Sequence, residues 1–90
     1  MKKEIVIMDG SIARLNARHP LEAGIFFTGF VEGKDTWCGH NKDNGKKYDT
    51  INEAVEDARK LRVMHPDQKP PKVFEITTNG NMLNLNDIKY

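Results

Sequence analysis

Cysteine is nearly missing: Cys38 is the one thiol in 90 residues. That excludes an internal disulfide framework, and a lone thiol suits a reducing cytoplasm, the location expected here. An excess of charge of either sign is also missing, with 14 Lys and Arg against 13 Asp and Glu and a net charge of +1. A protein that grips duplex nucleic acid usually carries a basic face that neutralises several phosphates, and this balance gives no support for one. No apolar run approaches the ~20 residues of a membrane span, so no membrane partner is expected. The run Ile5–Met8 is too short for the apolar core of a signal peptide. Internal repeats, low-complexity tracts and domain linkers are absent too, so residues 1–90 are expected to form a single domain with a thin core. What is present suffices for folding: 38% of the residues are apolar and 30% charged, outside the range of disordered chains.

Sites with chemistry are equally sparse. Cys38-Gly39-His40 is the one thiol–imidazole pair close in sequence, and i, i+2 spacing on a strand sets the two side by side. A cysteine nucleophile also needs an oxyanion hole, and nothing nearby suggests one. Zinc could draw on Cys38, His40, His19 and His65, but none of these has the pairwise spacing of a zinc site. The glycines at 24, 29, 33, 39 and 45 have no phosphate-loop spacing and read as strand bends and turns. Glu56 and Asp57 are assigned to a solvated helix face. The chain is therefore read as no enzyme, with no catalytic residue, no cofactor and no metal.

Local patterning gives the elements. Glu4–Met8 reads as a strand, and Asp9-Gly10 as a hairpin turn. Ser11–Ala17 is then either the returning strand, the reading the Asp-Gly turn favours, or a short helix; His19-Pro20 ends it in both cases. Gly24–Val31 reads as a strand with Ile25, Phe27 and Val31 on one face and Phe26, Thr28 and Phe30 on the other. Glu32-Gly33-Lys34 turns the chain into a second strand, Asp35–His40, that carries Trp37. Thr50-Ile51-Asn52-Glu53 fits a capping box, and Ile51, Ala54, Val55, Ala58 and Leu61 follow at helical spacing. This predicts an amphipathic helix over about 50–63, stopped by His65-Pro66. Lys72–Thr78 and Asn81–Leu85 read as strands joined at a hairpin signal, Asn79-Gly80. The order is β-β-β-β-α-β-β, or β-α-β-β-α-β-β if Ser11–Ala17 is helical. The fold class is α+β, an antiparallel sheet with one helix across one face.

The segment from Gly24 to Leu85 resembles a known outline. A tryptophan strand (Trp37), a helix start Tyr48-Asp49-Thr50-Ile51-Asn52-Glu53-Ala54 with Ala58-Arg59 further along, and the Asn79-Gly80 hairpin are similar to small ββαββ domains of unknown function in bacteria and their phages. The resemblance implies the fold and a phage or mobile-element setting. Such domains have no established catalytic residues to carry over.

One helix covers one face of a sheet, so the double-faced strand Gly24–Val31 needs a second cover, from residues 1–20 or from another chain. The expected function is a non-catalytic protein-binding module, an accessory or inhibitor protein, with Phe26, Phe30 and Trp37 as contact residues and another protein or a second copy of itself as partner. The alternative is a nucleic-acid binder that stacks bases on the same aromatics, with Lys34, Lys42, Lys46 and Lys47 on the backbone.

Overall fold

The computed structural model describes residues 1–11, 24–39 and 42–90. Among these residues five strands form one antiparallel sheet: β1 (Lys2–Met8), β2 (Ile25–Val31), β3 (Lys34–Gly39), β4 (Lys72–Asn79) and β5 (Met82–Ile88). Their order across the sheet is β3-β2-β1-β4-β5. A 3-10 turn at Lys42–Asn44 and the helix α1 (Ile51–Met64) connect β3 to β4. The α+β reading holds, with the helix packed over β1 and β4.

β1 is central because it is apolar on both sides. From Glu4 to Met8 every residue is buried; for Ile5–Met8 this is what an unbroken apolar run allows and an alternating one does not. Its odd and even residues feed two separate cores. Ile5 and Ile7 join Phe27, Ala54, Ala58 and Leu61 beneath the helix. Val6 and Met8 join Phe26, Phe74 and Ile76 on the opposite face.

α1 begins where the cap places it. Thr50 is extended, and its hydroxyl accepts from the Glu53 N–H at 3.2 Å, which satisfies one of the orphan donors of the first turn. His65 closes the helix with its N–H on the Leu61 carbonyl. The buried stripe is Ala54, Asp57, Ala58 and Leu61. Of the expected stripe, Ile51 and Val55 are only half-buried, and Asp57, read as solvated, is buried instead.

Two turn expectations also change. Asp9-Gly10 does not start a hairpin. Gly10 and Ser11 take helical backbone, and the Asp9 carboxylate accepts from the Ser11 N–H at 2.9 Å, as an N-cap does. The antiparallel neighbours of β1 are β2 and β4. Residues 12–20, the second part of the expected 1–20 cover, lie outside the described residues. The second hairpin forms, with Asn79 opposite Met82 and Gly80-Asn81 as the two loop residues. Gly80 has φ of 60°, the conformation that a type II′ turn asks of its first central residue.

The largest correction concerns β2. Phe27 pairs with Trp37 but Gly29 pairs with Thr36, so Thr28 is an extra residue in a bulge. Gly29 takes φ of 136° there, open to glycine and to few others. The Thr36 hydroxyl holds the bulge by donating to the Gly29 carbonyl at 2.8 Å. A bulge reverses the alternation beyond it. Phe30 therefore stands with Phe27 on the helix side, with ring centroids 4.9 Å apart, and not with Phe26.

Candidate functional site

Of the three aromatics singled out as contact residues, Phe26 has no exposed surface within a single chain. It faces Val6, Met8, Phe74 and Ile76 and is core. Of the two covers expected for this face, residues 1–20 or another chain, Val6 and Met8 of the first lie in the same buried cluster as Phe26, and no partner chain is needed to bury it. Phe30 and Trp37 are partly buried against the helix-side core. Trp37 packs edge-on to Phe27 at 5.4 Å, and its indole N–H donates to Asp35 at 2.6 Å. His65 Nε2 lies 3.0 Å from the same carboxylate. These contacts tie the β2–β3 hairpin to the end of α1. The Trp37 bond, with help from His65, holds the Asp35 carboxyl below the usual carboxylate range against the opposing effect of burial.

The three aromatics do not share one face. Phe26 lies on one face of the sheet, Phe30 and Trp37 on the other. Two lysines of the nucleic-acid reading are held in ion pairs. Lys46 pairs with Asp57 at 3.2 Å and lies over the Tyr48 ring. Lys47 reaches Glu4 at 3.6 Å, Lys34 is exposed in the hairpin, and Lys42 belongs to the 3-10 turn.

Asp57 is the centre of a polar cluster that the sequence reading missed. The Tyr48 hydroxyl donates to it at 2.7 Å, inside the fold. Burial first, and then that carboxylate, push the Tyr48 phenol well above the ordinary tyrosine value. Two backbone bonds position the segment: Lys46 N–H donates to the Phe27 carbonyl and Tyr48 N–H to the Ile5 carbonyl. They fill the wedge where β1 and β2, paired only at Met8 and Phe26, diverge. The cluster is satisfied and structural. Cys38 is half-buried on β3, while His40 and His19 lie outside the described residues. Among the described residues no three His, Cys, Asp or Glu side chains are grouped to hold a metal, and no helix is long and apolar enough to cross a membrane.

Two apolar surfaces remain. One is an open groove of about 870 Å³ between the outer face of α1 and the first hairpin, lined by Phe30, Val55, Val63 and Met64 with Glu56 and Arg59. The other is β5. It is last in the sheet, and α1 packs mainly over β1 and β4, with only Ile88 at the far end of β5 reaching the helix-side core. All residues from Met82 to Asn86 are exposed. Met82 shows 69%, Leu83 46% and Leu85 36% of its surface. None of these five residues is charged, and no described strand lies beyond them. The other edge, β3, begins Lys34-Asp35 and lies against the bulged strand. Charge and a bulge are two of the devices by which natural sheets block strand addition. β5 has neither between Met82 and Asn86. Sequence reading saw the alternation of Leu83 and Leu85 but took it as an ordinary returning strand. Edge position is set by the strand order, which local pattern does not carry.

No family model matches the chain, and no curated protein or solved structure does.

Proposed function

We propose that this chain is a non-catalytic protein-binding module that docks its partner on the open edge of β5. The observation that supports it is a seven-residue edge strand with three exposed apolar side chains and no charge from Met82 to Asn86. Such an edge offers a row of backbone donors and acceptors together with alternate side chains, which is the recognition mode of strand addition. Exposed leucines and a methionine are a cost to an isolated domain and a gain to a complex. The element order from Ile25 onward, β-β-α-β-β, is the one implied by the resemblance to small bacterial and phage domains. An accessory or inhibitor role acting by contact fits that setting.

The test is parallel capture from a lysate with the wild-type chain and with Leu83→Lys. A lysine on the edge should repel an incoming strand while leaving the β4–β5 ladder intact. Proteins retained by the wild type and lost from a variant with an unchanged melting curve are the expected result. Identical captures by the two proteins would contradict the reading.

A further inference from the structure

We infer that the occupant of the β5 edge is a second copy of this chain, paired antiparallel about a two-fold axis at Asn84. The inference rests on the reading of β5 as a docking edge, and it names the partner.

The hairpin settles which backbone groups are available. A two-residue loop closes on a hydrogen-bonded pair, here Asn79 and Met82. Along β5 the direction of the N–H and C=O groups then alternates. Met82, Asn84 and Asn86 turn theirs toward β4. Leu83, Leu85 and Asp87 turn theirs to the open edge. Two β5 strands can bond to each other only when outward residues meet outward residues. An axis at Asn84 satisfies this by setting Leu83 of one copy against Leu85 of the other, twice.

The side chains agree with that register. Leu85 lies opposite Ile76 and Leu83 opposite Thr78 in the sheet, on the face that holds Ile76, Phe26 and Val6. The axis therefore gathers four leucines on that face, continuous with the buried cluster of each copy. On the other face Asn84 meets its own counterpart, and each side-chain amide carries both a donor and an acceptor for the other. No charge lies between Met82 and Asn86, so self-pairing brings no like charges together there. Asp87 falls opposite Asn81, and it already has Lys72 at 3.2 Å and Lys89 at 3.3 Å. Moving the axis to Leu85 would set Asp87 against Leu83, a carboxylate against an apolar neighbour. The product is a ten-stranded sheet with β5 buried at its centre.

Register makes the inference testable by crosslinking. At an axis of this kind the two Asn84 Cα atoms lie ~4.5 Å apart as a non-hydrogen-bonded pair, inside the disulfide range. The two Met82 Cα atoms lie about 13 Å apart along the same geometry. In a Cys38→Ser background, Asn84→Cys should oxidise to a covalent dimer and Met82→Cys should not. Sedimentation of the uncrosslinked wild type should show a concentration-dependent dimer, and Leu83→Lys should shift it to monomer. A wild type that stays monomeric at all concentrations overturns the inference, as does a dimer that ignores Leu83→Lys or crosslinks equally at both positions. In those cases capture of other proteins by the wild type and not by Leu83→Lys would still uphold the edge as a docking site. Equal capture would remove both readings.

Discussion

Gly10 and Tyr48 carry demands that only contacts reveal. A Cβ on Gly10 would stand 2.1 Å from the Pro70 carbonyl oxygen, and both partners are backbone, so neither swings aside. Gly10→Ala is expected to cost roughly 1–3 kcal/mol, the range of overpacked sites, read as a lower urea midpoint at unchanged slope. At Tyr48 the phenol is raised in the folded state by burial and by its bond to Asp57. The folded chain thus holds this proton harder than the unfolded chain does. Its contribution to stability is complete below the ordinary tyrosine value and is lost as pH rises through the folded one. Tyr48→Phe should therefore flatten the alkaline fall in the urea midpoint. Tyr90, also raised by burial, retains part of that slope. At neutral pH the same variant deprives a buried carboxylate of one of its donors, with Lys46 remaining, and should cost about 1–3 kcal/mol. An unchanged alkaline slope would show that the phenol is already solvated. Asp57 was misread because a charged side chain in mid-helix is usually solvated. The available signal was spacing: it stands three residues after Ala54 and four before Leu61, both on the stripe.

Elements were legible in proportion to how local their causes are. The helix follows from its cap at Thr50 and from a 3.6-residue period, and the structure places it at Ile51–Met64. Leu61→Ala should cost roughly 2–5 kcal/mol, since Leu61 is 2% exposed within the helix-side core. Thermal unfolding checks it, and a loss well under 1 kcal/mol would mean the site collapses around the smaller residue. The first hairpin was legible as a turn at Glu32-Gly33. Both residues take positive φ, 52° and 79°, as a type I′ loop requires. The bulge at Thr28 was not legible. Seven residues from Ile25 to Val31 look like uninterrupted alternation, and the sole mark was Gly29 inside the strand. That single extra residue moved Phe30 across the sheet, and with it the assumed contact surface.

At the scale of the molecule, the question was what covers the second face of the sheet. Phe26, Val6, Met8 and Ile76 have no exposed surface within one chain, so that face asks for no partner. Phe26→Ala is expected to lower monomer stability by about 3–5 kcal/mol and to leave self-association, measured at a temperature where the variant is folded, unchanged. Weakened association without loss of stability would reverse that assignment. The exposed apolar surface lies instead at the sheet's end, where strand order rather than local sequence decides what is left open. The most direct measurement is backbone amide exchange along β5 at low and high protein concentration. Leu83, Leu85 and Asp87 N–H groups should exchange fast when dilute and become protected when concentrated, while Asn84 and Asn86, bonded to β4, stay protected throughout. Fast exchange at Leu83 and Leu85 at every concentration would contradict pairing at this edge.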